Sequence, residues 1–277
     1  MLSCLISMKK YLLRLRNAAR KIVKGPPPQY EFEGWGMFIT LTNTPWKHAT
    51  SELTEEFLKA HEDMLRATKD GSIMLSQFAG PKYADKTRLL EGLMWRHFIV
   101  FWSARYAMQN TKSEVKNLVE CGVCDGLTVF FAMRAQQGKF HAYLYDAWEA
   151  MRAEDLTEDE KKINIGAYDY LSMENTQRNL LSFKEQCTYI KGYIPESLKE
   201  APERVTWLHI DLNASGATLN SLEKFYERLE PGGVVLFDDY DWITYEETKQ
   251  LVDQFFADKK GMLLPLPTGQ ALFFKFA

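Results

Sequence analysis

Acid is absent from residues 1–30 of this chain, and cysteine is sparse throughout. Cys4, Cys121, Cys124 and Cys187 are too few for a disulfide framework in 277 residues, so a reducing, cytoplasmic setting is expected. No uninterrupted apolar run is long enough to span a bilayer. The most apolar stretch, 89–108, is broken by Glu91, Arg96, His97 and Arg105 and reads as a buried helix. The G-x-G-x-x-G loop of dinucleotide-binding folds is missing. A net charge of -3 gives no nucleic-acid footprint over the chain as a whole.

What is present is a globular composition, 46% hydrophobic with 13% aromatics. The chain divides into three expected parts. Residues 1–30 form a basic amphipathic arm, with Lys9, Lys10, Arg14, Arg16, Arg20, Lys21 and Lys24, closed by Pro26, Pro27 and Pro28. Two readings of residues 1–24 stand: peripheral contact with a membrane or partner protein, or a helix resting on the domain. Residues 31–112 form a helical extension, with helical periodicity over 51–71 and 86–109. Residues 113–277 alternate strands and helices, which means right-handed βαβ units and a mainly parallel sheet. Strands are expected at 117–123, 140–146, 188–194, 204–211 and 232–239, with a closing pair within 262–276. A polar, helical insertion is expected over 150–182, and helices over 125–138, from about 212 through Leu229, and over 243–258.

In parallel sheets ligands sit beyond the carboxyl ends of the strands. The first such end carries VECGVCDG, residues 119–126, where Gly122 and Gly126 permit tight turning and the next helix offers unpaired N–H groups. Asp146 follows about twenty residues later, placed to accept bonds from ribose hydroxyls, with Trp148 close enough to stack on a base. A cap and a packing role remain the alternatives for these two. Cys121 and Cys124 form a CxxC without a second ligand pair for zinc and read as small buried residues. Asp211 ends one strand, and Asp238 and Asp239 end the next. If those strands are neighbours, the three carboxylates converge on a hard divalent cation such as Mg²⁺. A helix cap would use one of them and leave two unexplained.

Taken in order, VECGVCDG, YDAWEAM, YIKGYIPESL, HIDLN, LEPGGVVLFDDY and LPTGQALFFK resemble the class I S-adenosylmethionine-dependent methyltransferases, and more narrowly the macrocin O-methyltransferase family. The resemblance covers residues 85–277. It implies a Rossmann-like α/β fold with a seven-stranded, mostly parallel sheet and a C-terminal antiparallel strand. It also implies that Glu120, Gly122, Asp125 and Gly126 cradle S-adenosylmethionine, that Asp146 and Trp148 hold its nucleoside, and that Asp211, Asp238 and Asp239 hold Mg²⁺. The activity it implies is Mg²⁺-assisted O-methylation of a hydroxyl on a sugar, glycan or glycosylated natural product, with homodimers common among such relatives. One position departs from the pattern: the family's proposed base, two residues after the first metal aspartate, is Asn213 here. An amide cannot accept the hydroxyl proton, which leaves His209 and Asn213 as weak catalytic candidates. It also keeps two alternatives in view, a catechol-type phenolic O-methyltransferase and a non-catalytic cofactor-binding module docking through its arm.

Overall fold

A computed structural model describes residues 52–76, 90–136, 139–242 and 245–277; the basic arm, the prolines and residues 31–50 lie outside them. Five parallel strands, β1 (Lys116–Cys121), β2 (Phe140–Asp146), β3 (Cys187–Lys191), β4 (Val205–Ile210) and β5 (Leu229–Phe237), precede β6 (Gly261–Pro265) and β7 (Ala271–Lys275). They form one sheet in the order β3-β2-β1-β4-β5-β7-β6, with β7 antiparallel to both its neighbours. This is the expected seven-stranded sheet with its reversed terminal strand. VTWLHI of β4 is buried at every position, as a central parallel strand covered on both faces must be.

Strand alternation sorts the side chains onto two faces. On one, Val119, Cys121, Leu208, Ile210, Val235 and Phe237 pack with Leu222 and Phe225 of α6 (Ser215–Phe225) and Phe256 of α7 (Glu246–Phe256). Cys121 is therefore a core residue, and burial pushes its thiol up to about 12. The other face is covered by α2 (Met94–Asn110), against which α1 (Glu52–Asp70) and α3 (Leu127–Arg134) pack. There the Phe57 ring meets Phe98, Phe101 and Phe131 at 5.2–5.8 Å between centroids. Of the residues that interrupt the apolar run, Glu91 is exposed, while Arg105 is buried with partners: its Nε donates to the Ala135 carbonyl at 2.5 Å, and its guanidinium pairs with Glu56. Ser103 accepts from the Trp207 indole at 3.0 Å, which satisfies that polar atom inside the core.

Several boundaries differ from expectation. The insertion is two short helices, α4 (Glu158–Asn164) and α5 (Met173–Asn179), separated by turns. The strand expected over 188–194 stops at Lys191, since Gly192 has φ +148 and Pro195 follows. The helix expected through Leu229 ends at Phe225, and β5 begins at Leu229, three residues before Gly232. The register between β4 and β5 jumps from Val205↔Leu229 to Trp207↔Val234. A bulge absorbs Glu230 to Gly233, so the proline and glycines do not keep the strand from starting early.

Candidate active site

Strand order reverses between β1 and β4, and the loops leaving these two strands meet there. Gly122, at φ +89, follows β1, and a Cβ on it would lie 1.8 Å from the Asp211 carbonyl oxygen. Only glycine fits this approach of the first loop to the end of β4. The rest of the loop is held by Asp146 at the end of β2. Its Oδ2 accepts from the N–H groups of Val123 and Cys124, both at 2.8 Å, and its Oδ1 from Trp148 N–H at 2.7 Å. Burial raises the Asp146 carboxyl, and these three backbone donors pull it back down.

Asp211 and Asp238 leave adjacent parallel strands, with Asp238 N–H bonded to the Ile210 carbonyl at 3.1 Å. The expected neighbourhood of the carboxylates is therefore present. Burial and then the charge of Asp239 hold Asp211 above the ordinary carboxylate range; burial also raises Asp239, against Arg96. Arg96, 4% exposed on α2, pairs with Asp238 and reaches its carbonyl at 3.5 Å. Desolvation lowers its guanidinium to about 10, against the pull of Asp239 and Asp211. Gln270 Nε2, fully buried, donates to Asp238 Oδ1 at 3.1 Å. Beneath them Glu120 and His209 sit side by side in register on the α2 face, with His209 Nδ1 2.9 Å from Glu120 Oε1.

A cavity of about 410 Å³ opens above this floor, within the roughly 300–1,000 Å³ of small-molecule sites. Gly122, Asp146, Asp211, Asn213, Asp238 and Asp239 line it, and Tyr168, Tyr170, Tyr193, Trp242 and Tyr245 supply aromatic walls. Asn213, at φ +52, is bound on every side. Its Oδ1 accepts from Tyr245 Oη at 2.5 Å, its carbonyl from Asn164 Nδ2 at 2.8 Å, and its Nδ2 faces Asp211 Oδ1 at 3.3 Å.

Residues 119–240 match the family model described as a methyltransferase domain. Over 73 residues the chain is 34% identical to the mycinamicin III 3''-O-methyltransferase of Micromonospora griseorubida, a match covering 25% of this chain and 29% of that protein. The fold is shared with the O-methyltransferase NovP, at TM-score 0.57 and 20% identity over 66% of this chain and 81% of NovP. It is shared too with the calicheamicin methyltransferase CalS11, at TM-score 0.54 and 15% identity over 82% and 93%.

Around the cavity the expected residues separate. Gly122, Asp146, Asp211, Asn213, Asp238 and Asp239 reach the cavity. Glu120, Asp125, Gly126 and Trp148 lie behind its wall. Asp125 Oδ1 accepts from Ser76 Oγ at 2.6 Å and Asn175 Nδ2 at 2.7 Å, tying the loop to two flanking segments. The Trp148 indole N–H donates to Thr176 Oγ1 at 2.9 Å, and the residue is 3% exposed, which favours its packing alternative over base stacking. Gly126 faces the Leu180 side chain. Sequence reading missed Arg96, Gln270 and the aromatic walls. A signal existed for Arg96, since a charge on a buried helix needs a partner; LPTGQALFFK was noticed, but nothing in it marked Gln270 as the group touching Asp238.

Proposed function

We propose that this protein transfers a methyl group from S-adenosylmethionine to a hydroxyl of a sugar or glycosylated natural product, assisted by a divalent cation. One observation carries the reading. A single cavity beyond β1, β2, β4 and β5 is lined by the glycine loop, by Asp146 and by three carboxylates. The transfer breaks the sulfonium C–S bond and forms a C–O bond, and the acceptor hydroxyl gives up its proton. Gly122 and the Asp146-braced loop form the nucleoside side of the cavity, while Tyr168, Tyr170 and Trp242 add aromatic side chains of a kind that packs against the C–H surface of a sugar. The residues fit a cation: Asp211, Asp238 and Asp239 bring three carboxyl groups against the one guanidinium of Arg96, an oxygen donor set that suits a dication. When bound, such an ion lowers the pKa of the acceptor hydroxyl and holds it in place.

Asn213 cannot take the proton, since it is an amide already engaged by Tyr245. His209 is fully buried behind the carboxylates, and burial lowers it to about 4. Asp211, whose carboxylate lines the cavity beside Asn213, has a second oxygen beyond the one a cation would take and is assigned as the proton acceptor. The relatives named as acting on mycinamicin III and as a calicheamicin methyltransferase support a natural-product acceptor. The test is methyl transfer from labelled S-adenosylmethionine to a panel of sugar, glycoside and catechol acceptors. Turnover on sugar hydroxyls, abolished in Asp239→Ala and suppressed by EDTA, is expected. Turnover confined to catechols would move the acceptor class, and full activity in both Asp238→Ala and Asp239→Ala would remove the metal from the account.

A further inference from the structure

His209 is 0% exposed, yet its Nε2 has no hydrogen-bond partner among the described residues. The nearest acceptor, Asp238 Oδ1, is 4.0 Å away, too far for a hydrogen bond. The other ring nitrogen is fixed by Glu120, and the ring is stacked on Trp207 at 5.6 Å between centroids, so it has a defined direction. That direction leads into the carboxylates. One ligand atom each from His209, Asp211 and Asp238 lies within 4.8 Å of the others, and Asp239 is not among the three.

A buried ring nitrogen with nothing to bind carries its full desolvation cost uncompensated. With the proton on Nδ1, shared with Glu120, Nε2 presents a bare lone pair to two carboxylates. With the proton on Nε2, the N–H has no acceptor within reach. A cation between the three groups resolves the first arrangement. Metal-ligating histidines commonly donate their second N–H to a carboxylate, which fixes the tautomer and the ring. Glu120 stands where that partner belongs. Bonds of roughly 2.1 Å place donors up to about 4 Å apart, so the observed spacing needs only a small closure on binding. Arg96 pairs with Asp238 Oδ2, while Oδ1, which faces His209, accepts from Gln270 Nε2 at 3.1 Å and keeps its second lone pair for a cation.

We propose that His209 Nε2 is a direct ligand, with Asp211 and Asp238, of a first-row dication such as Mn²⁺, with Asp239 as a neighbouring counter-charge. This rests on the cation-assisted reading above and changes its donor set from all oxygen to mixed nitrogen and oxygen. Imidazole nitrogen suits first-row transition ions, whereas Mg²⁺ keeps to oxygen and water. The site therefore prefers Mn²⁺ to Mg²⁺.

The test is pulsed EPR of the full-length protein loaded with Mn²⁺, together with calorimetric titration of Mn²⁺ and Mg²⁺. The expected result is ¹⁴N modulation from a bound imidazole, at least tenfold tighter binding of Mn²⁺ than of Mg²⁺, and loss of both features in a folded His209→Gln variant. The wild-type spectrum decides the matter even if that variant fails to fold. Mn²⁺ bound without nitrogen modulation would overturn the inference and leave an all-oxygen cation site standing. A folded protein that binds neither ion would overturn the inference and the cation-assisted reading together.

Discussion

Gly122 and Asp146 were both singled out in the sequence for a ligand, and the structure gives each a prior task inside the protein. Gly122 lets the first loop pass the Asp211 carbonyl; Asp146 ties that loop to β2 through the N–H groups of Val123 and Cys124, and holds its own turn through Trp148 N–H. The residue types were legible because the chain geometry restricts them, but the contact that imposes the restriction joins positions 89 apart and leaves no local trace. Gly122→Ala is expected to displace the loop from β4, since a Cβ at 1.8 Å from backbone cannot be absorbed by a side-chain shift and φ +89 is strained for alanine. S-adenosylhomocysteine binding, followed by calorimetry, should fall at least tenfold. Asp146→Ala leaves two loop donors and Trp148 N–H without their acceptor and should cost about 1–3 kcal/mol in urea unfolding besides weakening the same ligand. Unchanged unfolding in Asp146→Ala would show that the brace is not needed to hold the loop.

At the scale of elements, a helix start and a helix face make separate predictions. Glu160 closes the capping box of α4 with Thr157, and its Oε1 also accepts from Ser215 N–H at 2.7 Å. Ser215 opens α6, whose own cap residue, Ala214, has no side-chain oxygen to offer. One buried carboxylate thus caps two helices and fastens the insertion to the β4 end of the sheet. Glu160→Ala should destabilise the fold by about 1–3 kcal/mol; a loss confined to a few tenths, read from thermal unfolding, would show that the second cap carries nothing. The T-x-x-E spacing is readable at the sequence level, but its second use, 55 residues away, is not. On the buried face of α2, His97 stacks on Phe131 at 4.4 Å between centroids, and burial holds it well below the ordinary histidine range. The folded ring therefore stays neutral where the unfolded one takes up a proton, near pH 6.5. Its contribution to stability is present above that pH and is lost as the pH falls toward the folded value, at about 1.4 kcal/mol per pH unit. His97→Phe keeps the stack and removes the proton, so urea unfolding between pH 7 and 5 should show a shallower loss of stability than in the parent. An identical loss would mean His97 is protonated in the folded state.

For the molecule as a whole, the alternation of strands and helices made the sheet readable from the sequence, because a parallel sheet buried on both faces imposes continuous apolar runs and regular crossovers. Neighbouring strands β4 and β5, required for the carboxylates to meet, follow from the order of that sheet. What the alternation could not show is the polar layer beneath the site, Arg96, Glu120, His209 and Gln270, which is assembled from α2, β1, β4 and the segment before β7. Such a layer depends on which helix covers which face, and no local pattern encodes that. No helix among the described residues is long and apolar enough to cross a membrane. The central claim is the proposal that the cavity at the strand ends holds S-adenosylmethionine. Calorimetric titration of the full-length protein with S-adenosylhomocysteine tests it most directly. Micromolar binding at one site per chain, weakened in Asp146→Ala, is the predicted result; a folded protein that shows no binding heat, with or without a divalent cation, would contradict it.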